Sequence, residues 1–182
     1  MTAHQTADTV PTRPWAIIVM GVSGCGKSSI GEGLAKKLGV PFLEGDSLHP
    51  AANVAKMAKG SPLTDEDRWP WLQAIGDKMA AALQEGQTII VSCSSLKKSY
   101  RDLLREATGN RTAFIYLEGS EELLTRRMGD RTGHFMPVSL LESQLATLES
   151  PTSEPCVVTV DIDRSIEAIV EAAAAGLAEL EQ

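Results

Sequence analysis

Several features that are common in secreted and membrane proteins are missing from this 182-residue chain. Its three cysteines, Cys25, Cys93 and Cys156, are odd in number, far apart and without C-x-x-C spacing. That pattern predicts neither a zinc site nor a disulfide framework, and we expect a reduced, cytoplasmic setting. No apolar run approaches the roughly 18–20 residues that span a bilayer, so we expect no membrane association.

Basic residues are also scarce, with 17 Lys and Arg against 24 Asp and Glu and a formal net charge of −7. Proteins that bind nucleic acid through its phosphates normally carry a broad basic face, so we expect no nucleic-acid partner. A small anion would have to be bound by a few cations gathered at one place. Residues 1–14 lack the basic and apolar regions of a secretion signal and are predicted to form a flexible tail.

Short apolar runs alternate with longer amphipathic stretches along the chain. The apolar runs predict strands at 15–20, 40–43, 88–92, 113–117 and 156–160. Helical spacing predicts helices at 28–38, 53–59, 65–85, 97–107, 120–128, 137–148 and 165–180, and Thr64 is the predicted N-cap of the third. This alternation predicts an α/β fold: one domain over 15–182, with a parallel five-stranded sheet flanked by helices on both faces. A stretch rich in glycine and charge predicts a mobile lid at about 127–137.

Segment 21–28 fits the phosphate-binding pattern G-x-x-x-x-G-K-[ST], and it lies between a predicted strand and a predicted helix. Backbone N–H groups of such a loop, with the N-terminus of the following helix, bind phosphate oxygens. The predicted nucleotide-binding residues are Gly21, Val22, Ser23, Gly24, Cys25, Gly26, Lys27 and Ser28. Lys27 is expected to reach the β- and γ-phosphates of ATP, and the Ser28 hydroxyl to join the shell of a Mg²⁺ ion.

The rest of the sequence narrows the class of P-loop protein. The chain contains no N-K-x-D for guanine recognition, and 182 residues are too few for a motor or transporter ATPase. A kinase for a small molecule or a nucleotide fits this length best. Asp46 follows the second predicted strand, where ligands bind in parallel sheets, so it can accept the proton of an attacking hydroxyl. The alternative is that Asp46 only caps the next helix; His49 is similarly either a ligand-binding or a structural residue.

Several further blocks make the chain resemble a known family over residues 16–163. They read G-D-S-L-H-P at 45–50, P-L-T-D-E-D-R at 62–68, C-S-S-L-K-K-S-Y-R-D at 93–102 and G-H-F-M at 133–136. In these blocks the sequence resembles the gluconate kinases, or gluconokinases, of the small P-loop kinase type. The resemblance implies ATP-dependent phosphorylation of D-gluconate at its terminal hydroxyl, giving 6-phosphogluconate and ADP. It also implies a fold like that of nucleoside monophosphate kinases, a lid and a homodimer.

Gluconate is a polyol with one carboxylate, so its site needs one or two cations. Arg68 is a candidate for binding that carboxylate in a bidentate manner. Lys97 and Arg101 are further candidates because their i, i+4 spacing places them on one helical face. For each of these residues, a solvated surface charge is the alternative.

The predicted lid carries three more candidates. Arg127 and Arg131 flank it and can bring positive charge to the transferred phosphoryl group, with Arg127 also contacting ATP. His134 either binds the substrate or belongs to the hinge of the lid. The Mg²⁺ ion is expected at Ser28 and, directly or through water, at Asp46.

Two rival functions remain open at this stage. One is another small-metabolite kinase on the same scaffold, such as a shikimate-type enzyme. The other is a regulatory module that holds ATP without transferring phosphate.

Overall fold

The computed structural model describes residues 13–129 and 138–180. Five strands form one parallel sheet: β1 (Ala16–Met20), β2 (Phe42–Glu44), β3 (Ile89–Ser92), β4 (Thr112–Glu118) and β5 (Val157–Asp161). Their order across the sheet is β2-β3-β1-β4-β5, so the first strand of the chain is the central one. Since every residue of β1 is buried and successive side chains of a strand point to opposite faces, both faces of the sheet are covered.

Helices follow the strands in alternation. They are α1 (Lys27–Leu38), α2 (Ala51–Ala58), α3 (Asp65–Gln84), α4 (Lys98–Ala107), α5 (Glu121–Gly129), α6 (Val138–Thr147) and α7 (Ile166–Leu180), with a 3₁₀ helix at Gly45–Leu48. Helix α1 packs against α7, and α3 packs against α4. The predicted α/β class with a parallel five-stranded sheet is therefore confirmed. None of the described helices is long and apolar enough to cross a membrane.

Two local differences from the sequence analysis bear on the site. Strand β2 covers 42–44 rather than the predicted 40–43, so its last residue is Glu44. The 3₁₀ helix that follows was not predicted. It begins at Gly45, where a Cβ atom would lie 2.0 Å from the carbonyl oxygen of Ser92. Only glycine lets the chain turn this close to β3, and the turn sets the position of Asp46.

The start of α3 is fixed as predicted. The Thr64 hydroxyl accepts a hydrogen bond from the Asp67 N–H at 3.1 Å, and the Asp67 carboxylate accepts one from the Thr64 N–H at 2.9 Å. This reciprocal capping satisfies two backbone donors that the first turn leaves without helical partners. Lys56 at the end of α2 forms a 2.7 Å ion pair with Asp67, which ties α2 to α3. Arg68 follows in the first turn of the capped helix.

Candidate active site

The P-loop joins the central strand to α1, as its motif requires. Gly26 is the N-cap of α1 and has φ 94°, a left-handed conformation that glycine adopts without steric cost. The Lys27 ammonium donates a hydrogen bond to the Val22 carbonyl at 3.1 Å, so it lies over the loop. The first N–H groups of α1 have no helical partners, which makes this end of the helix a binding site for anions.

Glu44 is a site residue that the sequence analysis missed. The Ser28 hydroxyl donates a hydrogen bond to Glu44 Oε2, and the Ser92 hydroxyl donates one to Glu44 Oε1 at 2.6 Å. The carboxylate thus lies beside the last residue of the P-loop motif, two residues before Asp46. Its position at the carboxyl end of a parallel strand was the available signal, but the predicted strand ended one residue too early.

A cleft of about 510 Å³, part of it open to solvent, lies between the P-loop, the 3₁₀ helix, α3 and α6. It contains five predicted site residues: Ser23 and Lys27 of the P-loop, Asp46, His49 and Arg68. Its lining comprises Ser23, Lys27, Asp46, His49, Met57, Pro62, Leu63, Arg68, Trp71, Ser94, Leu140, Ser143 and Gln144. The cleft is thus cationic at Lys27 and Arg68 and anionic at Asp46.

His49 is held in the wall of this cleft beside Asp46. Its ring stacks on Trp71 with centroids 4.0 Å apart and planes 16° from parallel, and its Nε2 lies 3.7 Å from Asp46 Oδ1. Burial lowers the pKa of His49; the nearby Arg68 cation lowers it further, and the Asp46 carboxylate opposes both. Asn53 Nδ2 lies 3.2 Å from His49 Nδ1. His49 is therefore a buried ring with its polar atoms in contact, whereas the Asp46 side chain is 57% exposed and accessible to a ligand.

Arg68 is positioned by a buried tyrosine. Its Nη1 donates a 2.9 Å hydrogen bond to the Tyr100 hydroxyl, which in turn donates to the Asp65 carboxylate. The hydrogen bonds from Tyr100 and Lys97 lower the pKa of Asp65, so the Asp65 carboxylate, which is the final acceptor in this series of hydrogen bonds, stays ionised. Among the described residues Arg68 makes this one side-chain hydrogen bond, so its guanidinium keeps donors for a ligand in the cleft.

The side chains of Lys97 and Arg101 do not come together, contrary to the prediction. Lys97 is the N-cap of α4 with extended backbone angles; its carbonyl accepts a hydrogen bond from the Arg101 N–H at 3.1 Å, but the two side chains contact different partners. Its ammonium forms a 3.0 Å ion pair with Asp65, and this hydrogen bond raises the pKa of Lys97. The residue supports the Asp65–Tyr100–Arg68 chain and is not part of the cleft lining. Its role as a substrate ligand stays a prediction.

The prediction that Arg101 binds the substrate is wrong, because its guanidinium is buried and bound within the protein. Its side chain is fully buried and forms a bidentate ion pair with Glu154, at 2.9 and 2.6 Å. Its remaining hydrogen bonds go to the carbonyl oxygens of Ser95, Leu96 and Glu149. All three guanidinium nitrogens are occupied by partners from its own chain, so none is available to gluconate.

Of the three candidates predicted in the lid, Arg127 is among the residues that the structure describes, and Arg131 and His134 are not. Arg127, near the end of α5, donates a 2.7 Å hydrogen bond to the Ile162 carbonyl just after β5 and does not line the cleft. Its role toward ATP stays a prediction. Arg131, His134 and most of the predicted lid lie outside the described residues, as do the first 12 residues of the predicted tail.

A parallel sheet with a P-loop after its central strand, and a cleft lined by Lys27, Asp46 and Arg68, together define a P-loop kinase. Residues 17–151 match the family described as an AAA domain, to which the chain belongs. Individual relatives identify the family within this class: the chain belongs to the gluconokinase family.

Three relatives carry that assignment. The thermosensitive gluconokinase of Escherichia coli (strain K12) is 45% identical over 157 residues, which are 86% of this chain and 83% of the relative. The gluconokinase of Gluconobacter oxydans (strain 621H) is 44% identical over 171 residues, 94% of each chain. The crystal structure of a gluconokinase from Sinorhizobium meliloti 1021 is 54% identical and superposes with a TM-score of 0.86, covering 93% of this chain and 95% of that one.

Proposed function

We propose that this protein transfers the γ-phosphoryl group of ATP to the terminal hydroxyl of D-gluconate, giving 6-phosphogluconate and ADP. Membership of the gluconokinase family supports the substrate. The single structural observation that carries the proposal is the convergence of Lys27, Asp46 and Arg68 on one cleft. These residues supply a cation for the phosphates, a base for the hydroxyl and a cation for the substrate carboxylate.

The cleft suits a polyol with one carboxylate. The Arg68 guanidinium is oriented by its hydrogen bond to Tyr100, and a planar guanidinium matches a carboxylate in a bidentate manner. Asp46 lines the same cleft as Lys27 of the P-loop. In the proposed pose, the carboxylate of gluconate binds Arg68, and the C6 hydroxyl at the far end of the molecule lies at Asp46, next to the phosphates.

In this pose the γ-phosphoryl group of ATP can be transferred directly to gluconate. Asp46 accepts the proton of the C6 hydroxyl, and the C6 oxygen forms a bond to the γ-phosphorus as the bond to the β,γ-bridging oxygen of ATP breaks. ADP leaves with the bridging oxygen. Lys27 stabilises the negative charge that develops on the phosphates. Arg127 and Arg131 are proposed to add positive charge once the segment around 127–137 closes on the substrates and excludes water.

The residues around the P-loop fit a Mg²⁺ ion. Magnesium prefers oxygen ligands and usually takes one or two carboxylates plus substrate phosphates. Ser28, Glu44 and Asp46 offer such oxygens beside the phosphate-binding loop, and no group of three or more potential metal ligands forms a complete cage in the described part of the chain. Ser28 and Asp46 would hold the ion, with Glu44 accepting from its shell. The ion would supply positive charge to the β- and γ-phosphates.

The remaining expectations about the whole protein belong to this proposal. We propose a cytoplasmic homodimer, supported by the family resemblance, in which 15–182 form one domain and 1–14 a flexible tail. Light scattering of the purified protein should give twice the 19.5 kDa mass of one chain. A mass of 19.5 kDa at micromolar concentration would contradict the dimer.

ADP release tests the proposed reaction. Purified protein with Mg-ATP should release ADP at a rate that D-gluconate stimulates strongly, while shikimate, glucose and nucleoside monophosphates leave the rate near its background. Stimulation by another acceptor alone would keep the kinase class and overturn the substrate. ATP binding without stimulation by any acceptor would favour a regulatory ATP-binding module.

Asp46→Asn tests the assigned base. The amide keeps the size of the side chain and loses its basicity, so we expect kcat to fall about 10²- to 10⁴-fold while ATP still binds. Glu66→Gln is a matched control, because it removes one carboxylate from the exposed first turn of α3, outside the cleft lining. A kcat for Asp46→Asn within about threefold of wild type would refute the assignment.

A further inference from the structure

Gln144 of α6 contacts Ser23 of the P-loop, although the two residues are 121 positions apart in the sequence. The Ser23 backbone N–H donates a 2.8 Å hydrogen bond to Gln144 Oε1, and the Ser23 hydroxyl lies 3.2 Å from the same oxygen. A backbone N–H is only a donor, so the atom that faces it must be the amide oxygen. The orientation of the Gln144 amide is thereby fixed by its partner.

The donors that Gln144 occupies lie on the acceptor side of the P-loop. Ser23 and Lys27 line the same cleft as Asp46 and Arg68. The motif lysine reaches the β- and γ-phosphates, and the acceptor hydroxyl approaches from the Asp46 side. We infer that the terminal phosphate of ATP binds between these groups, next to the Ser23 donors. Backbone donors of this loop exist to bind phosphate oxygens.

The Gln144 carbonyl and a phosphate oxygen therefore require the same hydrogen atoms. An N–H group forms one strong hydrogen bond at a time, since a shared proton weakens both contacts. ATP must displace the Gln144 oxygen from Ser23, whereas ADP has no terminal phosphate at that position. The contact penalises ATP and leaves ADP nearly unaffected.

We propose that Gln144 is a specificity-determining residue whose amide oxygen competes with the γ-phosphate for the Ser23 donors and thereby sets the balance between ATP and ADP binding. The inference rests on the proposed function, because it takes the P-loop as the site of ATP. It assigns to α6 a role in nucleotide discrimination, in addition to its place in the wall of the acceptor cleft.

Two substitutions give opposite predictions. Gln144→Met keeps an unbranched side chain of similar length and removes the acceptor, so ATP should bind about three- to tenfold more tightly while ADP affinity changes less than about twofold. Gln144→Glu places a carboxylate on the same donors, which holds them more strongly and repels the terminal phosphate. ATP should then bind about tenfold or more weakly, with a smaller effect on ADP.

The experiment is titration calorimetry of Mg²⁺ complexes of ADP and of a non-hydrolysable ATP analogue. It compares the wild type, both Gln144 variants and Glu142→Met, a control that introduces the same methionine at an exposed position of α6. Circular dichroism checks that each variant is folded, and the readout is the ratio of the two dissociation constants. We expect this ratio to move in opposite directions in the two Gln144 variants and to stay constant in the control.

Three results would contradict the proposal in different ways. Equal changes for both nucleotides in the Gln144 variants would make Gln144 a structural support of the loop. Dissociation constants that stay at their wild-type values, or tighter ATP binding by Gln144→Glu, would overturn the competition directly. If the wild type bound neither nucleotide, the proposed function itself would fail, and the inference with it.

Discussion

Replacing Arg101 with methionine should destabilise the protein without weakening gluconate binding. Arg101 is completely buried, and its guanidinium bridges Glu154 and three backbone carbonyls. The Glu154 side chain is 8% exposed and also lies 2.9 Å from Arg105. Although burial alone would raise the pKa of Glu154, the hydrogen bonds from these two arginines lower it, so the carboxylate is charged in the folded state.

The magnitude follows from what Arg101→Met leaves behind. Glu154 keeps its charge with one partner fewer, and three carbonyl oxygens lose their donor. Breaking a buried ion pair from one side costs about 3–5 kcal/mol in the free energy of unfolding. For a chain of this size each kcal/mol shifts the melting temperature by about 2–4 °C, so we expect Tm to fall by roughly 6–20 °C.

The assay pairs thermal unfolding with gluconate kinetics measured well below the lowered Tm. Arg101→Met should lose thermal stability and retain a gluconate KM within about twofold of wild type. Arg68→Met is the matched comparison: its Tm should change by only a few degrees, whereas gluconate KM should rise at least about tenfold, because a charge-assisted contact is lost. Removing both partners, in Arg101→Met with Glu154→Leu, should recover part of the lost stability. A stable Arg101→Met enzyme with a raised gluconate KM would refute this reasoning and restore Arg101 as a ligand.

Three further expectations follow from the structure. Hydrogen bonds from Lys56 and the Thr64 N–H lower the pKa of Asp67 to about 2. The ionised Asp67 therefore stabilises the folded state fully above about pH 4, and this stabilisation is lost as pH falls towards 2. Asp67→Asn should accordingly flatten the acid side of a plot of the urea midpoint of unfolding against pH. Burial raises the pKa of the Cys93 thiol to about 11. At pH 8 a thiol reagent should therefore label Cys156 and leave Cys93 unmodified until the protein is denatured. Labelling of Cys93 in the folded protein would contradict its burial. Tyr100→Phe should raise gluconate KM about three- to tenfold with little change in kcat, because it frees Arg68 to move; an unchanged KM would show that Arg68 needs no such support.

The sheet was predictable because its signals are local. The apolar runs at 15–20 and 88–92 are rich in β-branched residues, and each is bounded by polar or glycine-containing segments. The P-loop was also readable from its motif alone, since its spacing and its strand–helix context are both in the sequence. The capping signal Thr64–Asp67 placed Arg68 correctly at the start of α3.

The errors and omissions concern contacts between distant segments. The partner of Arg101 is Glu154, 53 residues further along the chain, so helical spacing could not distinguish a buried ion pair from a ligand-binding cation. Glu44 was missed because β2 has only three residues, all half-buried, and gives little periodic signal. The contact between Ser23 and Gln144 joins the P-loop to α6, and nothing in either segment predicts it.

The most direct test of the central claim is the position of the phosphoryl group on the product. Wild-type protein is incubated with Mg-ATP and D-gluconate, and the mixture is analysed by ³¹P–¹H correlation NMR together with quantification of ADP. The account predicts one new phosphomonoester coupled to the C6 methylene protons, formed in an amount equal to ADP. Phosphate attached at another carbon, or ADP accompanied by inorganic phosphate alone, would contradict it.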